Sequence, residues 1–496
     1  MSSILTNTSA MVALQTLRGI NSNLSKTQDE ISTGKSIATA RDNSAVWAIS
    51  KVMESDVKGF KAISDSLSLG QSTVTVARTA SETVSDLLTE IKGKVVAAQE
   101  SNVDREKIQT DISALRDQIK SIVGAAQFNG LNLVKGTDDV KILSSLDRQP
   151  DGTVIASEIT ISRQDLSTSA GTYGGGGTSL SANGTASSAT VSATGNKATV
   201  AVTYDATGSY VVNVGGNSVT VAADTDADTT ETKIAAAINA LGLDGVSAAM
   251  NGSALEITST KAFEDLAVSV SASGGSAAVT VDDGSGAAAS GTIAQRAETI
   301  TFDGGGNVNE GDSYRITYNG GNYDYIAGKG ENFEDVAKGL KTALDGAGLS
   351  TVNVRVNQND SGQWVVNVDN TGADVTDFAL TGEDGGTASG GLFGLDNIDV
   401  RTTTGADAAL GNIETMIDTA IDAAAQFGSA QGRVDTQTSF VQALTDSLKT
   451  GIGVMVDADM EEASARLQAL QVQQQLGIQS LSIANQQPQS ILALFR

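Results

Sequence analysis

From Val46 onward, apolar side chains recur at alternating steps of three and four residues: Val46, Ile49, Met53, Asp56, Phe60, Ile63, Leu67, Gly70, Val74, Ala77, Ser81, Val84, Leu88, Ile91, Val95 and Ala98. Only Asp56, Gly70 and Ser81 interrupt the series. A stripe held over residues 46–98 spans about 80 Å of helix at about 1.5 Å per residue, far more than an ordinary globular helix, and it requires a coiled-coil partner. Gly70 is a place where this helix is expected to bend or break. A second helix repeats the pattern at Ile108, Ile112, Leu115, Ile119, Ile122 and Ala126, with Asn102 or Asp104 available as its cap. It stops at Gln127-Phe128-Asn129-Gly130, where Asn-Gly suits a turn with positive φ, and 131–134, 140–146 and 154–161 read as short strands. Near the other end, Leu410, Ile413, Ile417, Ala420, Ala424, Phe427, Gln431, Val434, Thr438, Val441, Thr445 and Leu448 form a matching seam. Three long helices with matching seams predict one antiparallel bundle built from both ends of the chain, the alternative being an extended rod.

Two outer pieces carry stripes too short to be buried alone: Ala10, Leu14, Leu17, Ile20, Leu24 and Ile31 in one, and Met460, Ala463, Leu467, Leu470 and Leu481 in the other. Between the helical ends the pattern changes to alternation. Strands are expected at 197–204, 210–214, 219–222, 254–258 and 266–270 around a helix at 231–241. About a hundred residues later the order recurs, with strands at 314–318, 323–326, 352–356, 364–368 and 378–380 around a helix at 333–344. This predicts two related β-β-α-β-β modules joined by the Gly/Ala/Ser-rich stretch near 284–292.

Charge sharpens this division. Of the 496 residues, 1–165 carry 18 basic and 20 acidic side chains and 401–496 carry 5 and 10, whereas 166–400 carry 9 and 28 together with 37 of the 53 glycines. The net −26 makes nucleic acid an unfavourable partner, and the absence of His and Cys removes thiol catalysis, a Ser/His/Asp triad and nearly every zinc site. The Asp224, Asp226, Asp228 run lacks the Gly and Glu of a calcium loop and reads as a helix cap and turn; Asp303–Asn309 reads as a hairpin loop. No catalytic, metal or cofactor residue is nominated, and no cofactor is expected. No secretory signal or membrane-spanning segment is expected either. The extreme ends differ from the rest in having no ionisable side chain over 1–17 and 467–495. Stacked copies of such segments around an axis would avoid facing like charges in a dry interior, so both read as polymerisation segments, with frayed low-complexity tails as the alternative.

Three stretches then carry a family resemblance. Ile31-Ser-Thr-Gly-Lys-Ser-Ile-Ala-Thr-Ala-Arg-Asp-Asn-Ser-Ala45 resembles the flagellin motif joining the first two helices, Gln127-Phe-Asn-Gly130 resembles the motif closing the N-terminal helical core, and 481–496 resembles the flagellin C-terminus. The likeness covers about 1–165 and 401–496. It implies an extracellular α+β subunit of the bacterial flagellum that polymerises with itself into the filament, has no enzymatic activity, and is exported without a cleaved signal peptide. By that likeness, 1–45 would be an inner-tube helix with its connecting spoke, 46–165 and 401–452 the bundle, 166–295 and 296–400 surface modules, and 453–496 the C-terminal inner-tube helix. Leu14, Leu17, Leu24, Ile31, Leu467, Leu470, Leu481, Ile491, Leu494 and Phe495 are the expected polymerisation residues. The expected bundle seam comprises Ile49, Met53, Phe60, Ile63, Leu67, Leu88, Ile91, Ile112, Leu115, Ile119, Ile413, Ile417, Phe427, Val434 and Leu448. The resemblance further implies a tip cap, hook-junction proteins, an export chaperone and the export apparatus as partners, and places an innate-receptor epitope at Lys92, Val96 and Asp111. Ser36 departs from the motif, where the family usually has Arg, and Gly93 departs within the epitope. Rival readings are a hook-filament junction protein and a secreted adhesin whose modules bind a glycan or metal.

Overall fold

The structure is a computed structural model that describes residues 7–149, 153–303 and 305–494. The chain opens with helix α1 (Thr8–Thr33), the 56-residue α2 (Ser44–Gln99) and α3 (Arg105–Ala125). Two-residue strands β1 (Gln127–Phe128) and β2 (Leu131–Asn132) pair across a turn in which Asn129 and Gly130 both have positive φ, as the Asn-Gly pair predicts. The hairpin β3 (Val140–Arg148) and β4 (Val154–Ile161) follows. The insertion contains β5 (Gly184–Ala186), β6 (Asn196–Thr203), β7 (Ser209–Val214), β8 (Asn217–Ala222), α4 (Ala227–Ala240), β9 (Val246–Asn251), β10 (Ala254–Ser259), β11 (Leu266–Ser273), β12 (Ala278–Asp282) and β13 (Ser290–Ile293). It continues with β14 (Glu298–Phe302), β15 (Ser313–Tyr318), β16 (Gly321–Ile326), α5 (Phe333–Asp345), β17 (Val352–Gln358), β18 (Trp364–Asn370) and β19 (Ala379–Glu383). Helices α6 (Thr403–Val456) and α7 (Met460–Leu494) close the chain. The class is α+β, with helices from both ends and a β-rich insertion. Two units divide it: residues 1–72, 141–161 and 430–496, and residues 73–140 and 162–429.

In the second unit, Lys92 pairs with Glu414 and Gln99 with Asp407, so seven residues forward on α2 match seven residues backward on α6, the register of an antiparallel pair. Leu88, Ile91, Ile112, Ile119, Ile413, Ile417 and Phe427 are buried, and Leu115 is half-buried. The α6 seam differs from expectation at alternate positions: Ala409, Met416, Ala423 and Ala430 are buried rather than Leu410, Ala424 and Gln431. So many alanines in a seam let helices approach closely, which explains how a chain with 4% aromatics builds a core here. The N-cap of α3 is Asp104, whose carboxylate accepts from Lys107 N–H.

In the first unit, Phe60, Ile63, Leu67 and Val434 are buried, Met53 and Leu448 half-buried, and Ile49 exposed, so the seam loosens toward the start of α2. Of the bend or break expected at Gly70, the break does not occur; α2 is continuous from Ser44 to Gln99. A Cβ at Gly70 would collide with the Ile142 side chain of β3, and one at Gly59 would come within 2.7 Å of Leu146 Cδ1. These two glycines, three turns apart, are the places where the hairpin seats against the helix.

The insertion, all in the second unit, holds two copies of one topology. The order β6-β7-β8-α4-β9-β10-β11 corresponds to β14-β15-β16-α5-β17-β18-β19. Sheet β12-β6-β10-β9 matches β5-β14-β18-β17, and β13-β11-β7-β8 matches β19-β15-β16. The repeat is therefore β-β-β-α-β-β-β; the expected β-β-α-β-β pattern missed β9 and β14. Nor are the modules successive. Residues expected in the first module belong with the second: β5 pairs with β14, and bridges link Thr172 to Thr387, Ser179 to Glu383 and Val191 to Val375. The module at 196–293 is thus nested inside the other, because β5 fills on β14 the flanking place that β12 fills on β6. The hairpin expected around 303–309 is not formed, because the flanking strands β14 and β15 belong to different sheets. Tyr210, Ile234, Leu255 and Val268 centre the nested core; Phe302, Tyr314 and Phe333 interlock in the other, with ring centroids 5.4–6.2 Å apart.

One carboxylate in the second core has a testable pH signature. Glu331 accepts from Tyr325 Oη at 2.9 Å and from Gly328 N–H at 2.9 Å. Burial is the largest influence on it and raises its pKa from 4.5 to about 7; nearby Asp335, also pushed up by burial, adds to the rise. A folded-state pKa above the unfolded one makes this group's stability contribution complete below about pH 4.5 and lost as pH rises through about 7. The loss approaches about 3 kcal/mol at about 1.4 kcal/mol per pKa unit. Denaturant unfolding followed by Trp364 fluorescence is expected to show Glu331→Gln gaining stability over the parent at pH 8 but little at pH 4.5.

Candidate polymerisation surface

Helices α1 and α7 pack against each other. Asn21 accepts from Gln474 Nε2 at 2.7 Å, while Asn7, earlier on α1, reaches Ala484, later on α7, so the pair is antiparallel. The expected stripes are spent largely on this pairing. Leu17, Leu24, Ile31, Leu467 and Leu481 are half-buried and Leu470 is buried, whereas Leu14 stays exposed. Phe495 lies outside the described residues, as do the side chains of Ile491 and Leu494.

Asn7 does two jobs. Its Oδ1 accepts from Ala10 N–H and caps α1, and its Nδ2 donates to Ala484 O at 2.8 Å. Ala484 O is the carbonyl four residues before Pro488, which has no N–H with which to fill it. Asn7 therefore supplies the hydrogen bond that proline removes, letting α7 continue through residue 488.

The connectors at the two ends also pair. Gly34, at φ +69°, ends α1, and its N–H donates to Glu30 O. Ser36 donates to Val456 O through its N–H at 2.7 Å and its hydroxyl at 3.1 Å, and Ala458 N–H donates to Gly34 O at 3.0 Å. Ser36 thus ties the two connectors together through two bonds to one backbone carbonyl. Asp42 accepts from Thr39 N–H and Oγ1 and from Ala38 N–H, and these bonds hold its carboxyl below the usual carboxylate range.

With α1 and α7 paired, large apolar side chains remain on their outer sides. Met11, Val12, Val472, Leu476, Ile478 and Ile483 are each 54–66% exposed. Such a density of exposed aliphatic residues on the charge-free stretches of the two helices, 8–17 and 467–494, is unusual for a free surface. Sequence periodicity missed this second stripe because α7 is apolar on several sides.

Elsewhere, Asp226 caps α4 through a capping box with Thr229, and Asp224 pairs with Lys233, so the aspartate run is a helix start as expected. Lys92 is committed to Glu414 and Asp111 to Lys94, while Val96 is exposed. Among the described residues, no group of three acidic side chains could hold a metal ion, and no helix is long and apolar enough to cross a membrane.

Residues 4–139 match the bacterial flagellin N-terminal helical region and residues 410–495 the C-terminal helical region. Flagellin A of Rhizobium meliloti is 31% identical over 506 residues, covering all of both chains. The chain belongs to the bacterial flagellins. This flagellin is a structural subunit of the flagellar filament, the extracellular organelle of swimming motility. It is also similar to flagellin FljK of Caulobacter vibrioides, 41% identical over 140 residues that cover 28% of this chain and 51% of that one. Among solved structures, the flagellar hook associated protein-3 of Legionella pneumophila matches at 9% identity and a TM-score of 0.32, covering 82% of this flagellin and 98% of that chain.

Proposed function

We propose that the α1/α7 pair is the polymerisation element of this flagellin, and that Met11, Val12, Val472, Leu476, Ile478 and Ile483 form its contact with neighbouring copies. The observation that carries this reading is their exposure on the stretches of α1 and α7 that lack charge, 8–17 and 467–494. Burying an aliphatic side chain removes apolar area at about 25 cal/mol per Å², and a neutral lining lets identical copies stack without like-charge repulsion. Leu14, Leu17, Leu24, Ile31, Leu467, Leu470 and Leu481 contribute by holding the pair together. On this reading 1–45 and 453–496 line the axis, the seam of α2, α3 and α6 forms the layer around them, and the acidic insertion faces solvent. Its excess of 19 negative charges, 28 acidic against 9 basic residues over 166–400, keeps assembled filaments apart. The expected partners are other copies of the chain, with a tip cap, hook-junction proteins, an export chaperone and an export apparatus that needs no cleaved signal peptide. Lys92, Val96 and Asp111 remain the proposed receptor-epitope equivalents.

Deleting 1–33 or 460–496 tests the reading. The expected product is a monomer at every concentration in analytical ultracentrifugation, with the α2, α3 and α6 helices retained by circular dichroism. Filaments assembled from either truncation would overturn it.

A further inference from the structure

Where α5 of the outer module meets α6, three side chains form a closed ring. Lys341 Nζ donates to Asn412 Oδ1 at 2.7 Å and to Asp345 Oδ2 at 2.6 Å, and Asn412 Nδ2 donates to that same Asp345 Oδ2 at 3.0 Å. The ring is largely shut off from water: Asn412 is 6% exposed, and the side chains of Asp345 and Lys341 are 6% and 16% exposed. An ordinary helical ion pair on the same helix, Lys338 with Glu334, is more exposed, at 29% and 35%. The ring thus puts an amine, a carboxamide and a proton carrier in mutual contact, with both amide heteroatoms engaged by the other two groups.

We propose that Lys341 and Asn412 join in an intramolecular isopeptide bond, with Asp345 carrying the protons, so that the outer module is covalently fixed to α6. The ammonium of Lys341 passes a proton to the Asp345 carboxylate, a transfer between hydrogen-bonded partners that exchanges two buried charges for two neutral groups. The neutral amine attacks Cγ of Asn412, one C=O bond of about 1.2 Å from the oxygen it already touches. A new Nζ–Cγ bond forms, and charge develops on Oδ1; the Thr342 hydroxyl, which donates to Lys338 O at 2.9 Å and lies 3.5 Å from Oδ1, would have to turn to donate to it. The carboxylic acid protonates Nδ2, the Cγ–Nδ2 bond breaks and ammonia leaves. The carboxylate then removes the extra proton from the new amide nitrogen. The sum is amine plus carboxamide giving secondary amide plus ammonia; nothing is oxidised or reduced, and no co-reactant is needed. A cavity of about 210 Å³ lined by Thr342, Asp345, Gly394, Ala409 and Asn412 adjoins the ring and gives the departing ammonia room.

Full-length chain recovered from assembled filaments, or refolded and incubated, is denatured and weighed by intact mass spectrometry, then digested with trypsin. The expected result is a mass about 17 Da below that of the same chain before folding, one ammonia lost, and a branched peptide joining Lys341 to Asn412. Lys341→Arg and Asp345→Ala should each abolish the branched peptide. Asn412→Asp should restore the same bond with loss of water instead. A folded parent chain with no mass loss overturns the proposal, whether or not the variants fold. So does a 17 Da loss confined to an unlinked Asn412 peptide, the mark of a succinimide.

Discussion

Replacing Leu476 with lysine is expected to abolish filament formation while leaving the subunit folded. Leu476 lies on the outer side of the α1/α7 pair and is 58% exposed, so its removal deprives the monomer of little packing, and a surface change of this kind usually alters stability by less than about 0.5 kcal/mol. At the proposed contact, assembly multiplies the effect, because a helical repeat that buries Leu476 once buries it in every copy. An ammonium placed there must leave water without a partner on its own helix, since α7 carries no ionisable side chain between Arg466 and Leu494. Losing hydration without pairing costs several kcal/mol per ion, and this is repeated at each added subunit. Leu476→Gln, which adds polarity without charge, should weaken assembly much less. The contrast with Leu470→Lys is diagnostic: Leu470 is buried between α1 and α7, so lysine there should also reduce helix content. Electron microscopy and sedimentation of the three variants beside circular dichroism check the prediction. Normal filaments from Leu476→Lys would rule out a dry neutral contact at this position.

The parts of the fold legible in the sequence are those whose signal is local and repeated. The α2 stripe could be stepped from Phe60 to Ala98 because large apolar residues recur at coiled-coil spacing, and it is buried over that span. On α6 the signal blurred where candidate positions were adjacent alanines, as at Ala423 and Ala424, which pattern alone does not separate. The nested order of the outer modules rests on β5, three residues long, whose pairing with β14 spans more than a hundred residues and leaves no periodicity to read. The same holds at the polymerisation element. Neutral ends could be read from composition, but the face committed to the α1/α7 pair and the face left open depend on contacts between residues over 400 apart in sequence. Asn7 had two local clues, a polar residue before a helix and a proline inside another; only their juxtaposition explains both.

Arg296→Ala is expected to be the most destabilising single substitution outside the assembly surface, by about 3–5 kcal/mol. Arg296 joins the two outer modules. Its N–H donates to Lys261 O of the nested module at 2.9 Å, and its guanidinium grips Asp369 on β18 with Nε–Oδ1 of 2.7 Å and Nη2–Oδ2 of 2.9 Å. Asp369 is 1% exposed, so truncating the arginine strands a carboxylate away from water instead of merely deleting an attraction. Lysine is a poor substitute, since one ammonium cannot reproduce the two-pronged contact. If the loss comes from the stranded charge, Arg296→Met combined with Asp369→Leu should recover most of it, because replacing both ions with apolar groups removes the desolvation penalty together with the attraction. Trp364 lies on the same strand as Asp369, so in a Trp47→Phe background its fluorescence in a denaturant titration reports unfolding of this module directly. A double variant no more stable than Arg296→Ala would mean that the ion pair itself, rather than avoidance of a lone buried charge, holds the modules in place.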